Sequence, residues 1–426
     1  MHIFFSGIGG TAIGPLAMIA KQAGYTVSGS DKQDSQYIQY LMKQGISDIH
    51  IGQSYEQIAA RHAALPIDWY VYSSAVAIEQ PDAPELKFCQ ENDIRTTKRD
   101  ELLNRIINEK SLKLIAIAGT HGKTTTTAMA VWLFKQLDLP VSYSVGAKIS
   151  FGEMGSFDAD SEYFVYEADE FDRNFLAFSP YMNLITGIDY DHHEIFPTRE
   201  DYQEAFRQFI GQSQHSVVWH SDIAAAHLTT DETVTVLNDK EPKLNMLTIN
   251  GAVNRRNAWQ VVQAVHKLTG KPEDELIAHM NRFPGLSRRF EKLTENLYTD
   301  YAHTIPKIEG CLQQASELSD NVVVVYEPLT NRRQEYIRED YRDLFKGIKK
   351  LYWVPSYMAR EDPAQHVYTP AELIGYMENK DIAEPAELNP ELARVIKLHL
   401  AKGDMVVCIS GGGGGGLDEW LRKELA

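Results

Sequence analysis

The sequence is short of cysteine, of basic residues and of long apolar runs. Its three cysteines, Cys89, Cys311 and Cys408, are far apart and form no CxxC pair. That excludes a disulfide framework and a cysteine zinc site, and it fits a reducing compartment. Lys plus Arg total 42 against 59 Asp plus Glu, a formal charge of −17 over 426 residues. An excess of that sign argues against a broad nucleic-acid or anionic-membrane surface, though not against a local phosphate pocket. No apolar stretch is long enough to span a bilayer. The opening MHIFFSGIGG lacks the basic stretch and longer apolar segment of a secretory leader, so a cytoplasmic protein is expected, with no membrane insertion.

What is present is an alternation of short apolar runs with helical patterns. HIFFS at 2–6 precedes a glycine turn, a helix runs on through Lys21, and YTVSGSD and WYVYSSA read as further strands. The pattern restarts at Leu112, where LKLIAIAG is a buried strand and GKTTTTAMAVWLFKQL a helix, followed by the strands YFVYEAD and MNLITGI. It restarts again after FPGLSRRF, with NLYTD, VVVVYEP, KKLYWV and DMVVCIS as strands. Strands alternating with helices predict α/β domains, each a parallel sheet with helices on both faces. Three domains are expected: a Rossmann-like 1–106, a central P-loop ATPase domain 107–283 and a C-terminal Rossmann-like 284–426. Ligands are expected beyond the carboxyl ends of their strands.

AGTHGKTTTT at 118–127 follows an apolar strand and opens a helix, the context a P-loop requires. Backbone N–H groups from Gly119, Thr120, His121, Gly122 and Lys123 can wrap phosphate oxygens, and the helix N-terminus adds positive potential. Lys123 can reach the β/γ-phosphates of ATP, and the Thr124 hydroxyl, followed by Thr125, can hold Mg²⁺. The strict GxxxxGK[ST] spacing is not met, because its first glycine falls at Ile117. The alternative is an ordinary glycine turn before a threonine-rich helix.

Two acidic segments end later strands, EADEFD at 167–172 and DYDHHEIF at 189–196. If those strands are neighbours, Glu167 and His192 share the edge of the phosphate loop and can hold a metal with Thr124. Mg²⁺ takes one or two carboxylates, waters and phosphate oxygens, and an imidazole ligand admits Mn²⁺ as well. A solvated acidic turn and a satisfied histidine are the alternative. The first turn, GIGGTA at 7–12, fits GxGxx[GA], and Asp31 ends the next strand near the spacing of a ribose-binding acid. Nucleotide or diphosphate binding competes here with a purely structural βα unit. No hydride-transfer site follows downstream, so a redox cofactor is not implied.

Taken in order, these motifs resemble the Mur ligases, the ATP-dependent amino-acid ligases of peptidoglycan synthesis. The opening FSGIGGTAIG, the segment VYSSAVAIEQPDAPELKF, AGTHGKTTT, YEADEFD, NRRNA, FPGLSRRFE, DYAHTIP, YMAREDP and KGDMVVCISGGG carry the resemblance, and they cover essentially the whole chain. It implies ATP and Mg²⁺ as cofactors, with UDP-N-acetylmuramate and L-alanine as substrates in the alanine-adding branch. A preformed tripeptide replaces alanine in the recycling branch. A degenerate nucleotide-binding module is the remaining alternative. The implied route is attack of the muramyl carboxylate on the γ-phosphate, then of an amine on the resulting acyl phosphate. By the same resemblance Asn254 and Asn257 contact adenine, Asp300 the ribose, and Arg289 the phosphates. His303 and Arg360 lie near the amino-acid end. Gly7, Ile8, Gly9, Gly10, Asp31, Ser73 and Ser74 hold the UDP portion. Lys123, Glu167, His192, Arg289 and His303 form the catalytic set. Apart from the resemblance, Arg288 and Arg289 could be a salt-bridged pair, and Asp300 and His303 could cap the next helix.

Several features depart from the family pattern. No lysine stands between Lys148 and Lys240, so a carbamylated lysine as metal ligand is not expected. Val253 replaces a histidine, Thr304 the second of a histidine pair, and YEPLTN at 326–331, with Glu327, looks closer to the recycling branch. The run Gly411 to Gly416 replaces a GAGD-like ending and reads either as anion-contacting amides or as a loose turn.

Overall fold

The computed structural model describes residues 1–73, 76, 82–192, 195–358, 361, 365–412 and 415–425, with the backbone alone at Gln36. Ser74 and Arg360, and part of the glycine run, lie outside the described residues. Three sheets form, one in each α/β stretch of the sequence. The chain divides into two compact units, Met1–Leu247 with Asn257–Phe283, and Thr248–Arg256 with Pro284–Ala426. The first unit carries two sheets and the second carries one.

The first sheet comprises β1 (His2–Ser6), β2 (Thr26–Asp31), β3 (Ile49–Ile51), β4 (Trp69–Tyr72) and β5 (Arg95–Lys98), all parallel, in the order β3-β2-β1-β4-β5. Side chains alternate across a strand. Ile3, Phe5, Trp69 and Val71 therefore join one core, while Phe4 and Tyr70 join the opposite one with Leu86, Phe88 and Cys89. Burial on both faces is what a parallel sheet covered by helices requires. The strand order reverses between β1 and β4, which makes a crevice at their carboxyl ends.

The second sheet comprises β6 (Lys113–Ala118), β7 (Val141–Ser144), β8 (Gly155–Ser156), β9 (Tyr163–Glu167), β10 (Met182–Ile185), β11 (His215–Trp219) and β12 (Val234–Leu237). Its order is β12-β11-β10-β6-β9-β7-β8, parallel except for β7 and β8. This corrects one expectation. The strands that lead to Glu167 and His192, β9 and β10, are not neighbours, because β6 pairs with both and separates them. The apolar run of β6 is buried on both faces and takes the central position, so the acidic segments flank the phosphate loop instead of sharing one side of it.

The third sheet comprises β13 (Glu291–Thr294), β14 (Leu297–Asp300), β15 (Val322–Glu327), β16 (Lys350–Trp353), β17 (Ala383–Pro385) and β18 (Met405–Ser410), in the order β13-β14-β18-β15-β16-β17. Only β13 and β14 pair antiparallel. The central strands β15 and β18 are buried along their whole length, and each Val or Ile so enclosed is worth about 1.5–3 kcal/mol. All three cysteines are buried free thiols. Among the described residues no helix is long and apolar enough to cross a membrane.

Candidate functional site

The loop between β6 and the helix Lys123–Gln136 is shaped by two glycines. Gly119 has φ +139° and Gly122 φ +79°, backbone conformations that side chains rarely adopt. A Cβ on Gly119 would stand 2.4 Å from the Thr186 hydroxyl, and one on Gly122 would stand 2.9 Å from the Asn257 amide nitrogen. No side chain caps the helix that follows, so its first N–H groups face the loop with the positive end of the helix dipole. Thr120 ties the loop to the neighbouring strand end. Its hydroxyl donates to Asp189 O at 2.7 Å, and its N–H donates to Gly187 O at 2.9 Å. The Thr186 hydroxyl donates to His121 O, and His121 Nε2 stands 3.8 Å from Asp189 Oδ2. Thr125 is the third residue of the helix Lys123–Gln136.

Lys123 turns back over this loop. Its Nζ donates to Gly119 O at 2.7 Å and to Glu170 Oε2 at 2.6 Å, with Asp169 Oδ1 at 4.0 Å. Burial works against its charge, but Glu170 and Asp169 outweigh it and raise the ammonium pKa. Glu170 is fully buried, and its second oxygen has no hydrogen-bond partner. The sequence reading missed Glu170, because four acids crowd EADEFD and pattern alone does not say which turns inward. The backbone decides: Asp172 and Arg173 both adopt left-handed φ, +54° and +56°, at a kink that separates two short helical pieces just after Glu170. The Lys98 ammonium pairs with the Asp172 carboxylate there.

Glu167 ends β9 on the other side of the lysine. Its carboxylate accepts from the Thr124 hydroxyl at 2.9 Å and from Gly146 N at 3.0 Å. Thr124 and Glu167 thus present adjacent oxygen donors suited to Mg²⁺. His192 does not join them. Its Nε2 is 3.7 Å from Glu170 Oε1, and its ring packs edge-on to Phe171. It holds a left-handed φ of +55° in a turn whose carbonyl accepts from Ile195 N and Phe196 N. Among the described residues no three His, Cys, Asp or Glu side chains are grouped to hold a metal.

The first glycine turn is built differently. Gly7 N and Ile8 N donate to Ser30 O, Gly10 N donates to Gly7 O, and Gly9 N donates to Asp31 Oδ2 at 2.8 Å. A Cβ on Gly9 would stand 2.9 Å from that carboxylate, so glycine is what lets β2 close on the turn. Ser73 follows β4, and its carbonyl accepts from Val76 N.

The remaining candidates divide between the units. Asn257 is buried beside Gly122, whereas Asn254 belongs to the second unit and donates to Asn250 O and Gln314 Oε1. In the second unit, Asp300 accepts from Phe290 N at 2.6 Å, and burial raises its carboxyl pKa. It does not cap the next helix. That helix, Ile305–Ser316, starts at Thr304 without a side-chain cap. His303 Nδ1 bonds Tyr301 O at 2.9 Å and its Nε2 faces Lys307 Nζ at 3.5 Å. Burial, seconded by Lys307, pushes the imidazole down to about 3, so it stays neutral. Arg288 donates to Ser410 O and Gly412 O and stands 3.6 Å from Asp418, while Arg289 lies over the Tyr301 ring. Glu327 is buried, and Ser410 Oγ and Leu417 N donate to it. Gly411 and Gly412 are packed positions: a Cβ would stand 2.5 Å from Leu329 and 2.7 Å from Glu327 respectively. This part of the glycine run is therefore no loose turn.

Family models match two stretches, "Mur ligase family, catalytic domain" over residues 2–111 and "Mur ligase middle domain" over residues 117–243. A UDP-N-acetylmuramate–L-alanine ligase from Clostridium perfringens is 27% identical over 96% of this chain and 95% of its own length. A protein of the same name from Lachnospira eligens is 31% identical over 85% of this chain and 84% of its own. Among solved structures, the UDP-N-acetylmuramate-alanine ligase MurC from Thermotoga maritima matches with a TM-score of 0.77 at 23% identity, covering 100% of this chain and 98% of that one. That likeness extends the fold through the third sheet. The chain belongs to the Mur ligase family.

Proposed function

We propose that the protein joins L-alanine to the carboxylate of UDP-N-acetylmuramate at the expense of ATP, in peptidoglycan synthesis. The observation that carries this reading is the Lys123–Glu170 pair set beside Thr124–Glu167 at an uncapped helix N-terminus. The relatives' shared name supplies the substrates. Residues 1–106 would take the sugar nucleotide, 107–283 ATP, and 284–426 the amine. ATP and a nucleotide sugar as co-substrates suit a cytoplasmic reaction.

ATP and Mg²⁺ suit the residues present. Neither Gly119 nor Gly122 has room for a side chain, and Glu170 keeps an oxygen without a hydrogen bond. Thr124 and Glu167 would hold Mg²⁺, while His192 stays beside Glu170. When bound, the ion would neutralise charge on the transferring phosphoryl group. Lys123 would leave Glu170 for the phosphates. A muramyl carboxylate oxygen forms a bond to the γ-phosphorus as the bond to ADP breaks. The amine nitrogen then bonds to the acyl carbon, phosphate leaves, and the amine loses its proton. His303, with a pKa of about 3, is too weak a base to take that proton at neutral pH. We assign it to positioning, with Asp300, Arg289 and Arg360 carried as nucleotide and amine contacts. Catalysis is then mainly placement and charge compensation.

The segments YEPLTN, which holds Glu327, and DYDHHEIF are the sequence features that favour a tripeptide acceptor. For Glu327 the structure gives another account. Its carboxylate is occupied by Ser410 and Leu417, so that departure is accounted for by the packing of the glycine run and says little about the amine. Phosphate release from ATP with Mg²⁺ and UDP-N-acetylmuramate tests the proposal. Release dependent on L-alanine, with product mass raised by one alanyl residue, is expected. Release dependent only on L-Ala-γ-D-Glu-diaminopimelate would move the chain to recycling, and silence with both would make it a binding module.

A further inference from the structure

Under the first glycine turn lies a buried carboxyl that the proposed chemistry does not use. Glu85 stands in the first turn of the helix Pro84–Glu91 and is 2% exposed. One of its oxygens accepts from Ser6 Oγ at 3.0 Å, from Ser30 Oγ at 2.9 Å and from Tyr70 OH at 3.5 Å. Gln53 donates in turn to Ser6 Oγ at 2.8 Å. Ser6 is the residue before Gly7, Ser30 is the residue before Asp31, and Tyr70 lies on β4 across the strand-order reversal. A single carboxyl thus joins the ends of β1 and β2, strand β4 and the helix that follows the segment bearing Ser73.

We propose that Glu85 is the positioning residue of the sugar-nucleotide turn and that it carries a proton when the diphosphate is seated. The proposal rests on the function assigned above to residues 1–106. Its physical basis is charge. A diphosphate at the turn Gly7 to Gly10 would add negative charge near a carboxyl buried from water, where an ionised form is costly. The groups facing Glu85 do not offset that charge. They are the hydroxyls of Ser6, Ser30 and Tyr70, the Cys89 thiol on its own helix and the carboxylate of Asp31, and among the described residues no cation pairs with it. Burial already pushes the Glu85 carboxyl up to about 7, against the pull of the three hydroxyls, and Asp31 adds to the rise. The folded chain therefore crosses from protonated to ionised Glu85 near neutrality. The protonated form would still accept from both serines, and glutamine would reproduce it.

The test is the equilibrium affinity of the full chain for UDP-N-acetylmuramate without ATP, from pH 6 to 8.5, measured by calorimetry in two buffers of different ionisation enthalpy. For the wild type, Kd is expected to rise by about three- to tenfold per pH unit above 7, with proton uptake on binding. Glu85→Gln should bind as the wild type does at pH 6, with a flat profile and no proton uptake. Glu85→Leu, which removes the acceptor, should weaken binding about tenfold at every pH. Should Glu85→Leu fail to fold, the Ser6→Ala, Ser30→Ala double variant reports the same loss. A wild-type Kd that is flat with pH, or a Glu85→Gln profile with the wild-type slope, overturns the inference alone. A wild type that does not bind the sugar nucleotide at all overturns the functional reading and this inference with it.

Discussion

The molecule carries two glycine turns in the same structural position, each after the first strand of a parallel sheet and before a helix. They are finished with opposite chemistry. At residues 7–10 a carboxylate, Asp31, accepts from the turn's own Gly9 N–H, and a second carboxyl, Glu85, lies beneath. At residues 119–122 the following residue is Lys123, held by Glu170, and Thr124 faces Glu167. The backbone device is similar, a glycine turn that leads into a helix N-terminus, but the amides of residues 7–10 are taken by Ser30 O, Gly7 O and the Asp31 carboxylate. What differs is whether the site merely holds the anion or can also stabilise charge moving during bond exchange. The first turn has the parts of a binding site, and the second has in addition a cation and oxygen donors for a metal.

That contrast can be broken most forcefully at Lys123. Lys123→Ala should lower turnover by roughly 10³-fold or more, about 4 kcal/mol of transition-state stabilisation. Steady-state phosphate release measures it, and near-wild-type turnover would end the comparison. Glu167→Ala should raise the Mg²⁺ concentration needed for half-maximal rate by about ten- to a hundredfold. A superimposable Mg²⁺ titration would remove Glu167 from the metal site. On the other turn, Asp31→Asn should raise KM for the sugar nucleotide about tenfold and leave KM for ATP alone. Equal changes in both would mean that the two turns are not independent. The smallest effect is expected at Glu170→Gln. Loss of its charge strengthens the hold of burial on Lys123, so the ammonium pKa falls and the alkaline limb of the rate profile should move to lower pH. An unmoved limb would mean that Asp169 and Glu167 suffice to keep Lys123 charged.

Much of this was legible in the residues because it is local. The apolar runs HIFFS, LKLIAIA and VVVVYE are strands where their pattern placed them, and AGTHGKTTTT sits between strand and helix as read. What was not legible depends on contacts between distant segments. Glu85 belongs to PDAPELKF, an unremarkable helix start, and its role appears only when β1, β2 and β4 bring Ser6, Ser30 and Tyr70 around it. Glu170 is singled out from its acidic neighbours by two left-handed residues that no local pattern announces. The separation of β9 from β10 follows from β6 entering between them, a choice of strand order and not of any one segment. The packing of Gly411 against Leu329 and His303 is likewise invisible until β14, β15 and β18 are adjacent.

The central claim, that the two turns divide holding from chemistry, is tested most directly by crossing two variants with two ligands. Equilibrium binding of UDP-N-acetylmuramate and of a non-hydrolysable ATP analogue would be measured on Lys123→Ala and on Asp31→Asn. The account predicts that each variant weakens one ligand, the analogue for Lys123→Ala and the sugar nucleotide for Asp31→Asn, and leaves the other within about twofold. Loss of sugar-nucleotide binding in Lys123→Ala, or of analogue binding in Asp31→Asn, would contradict it.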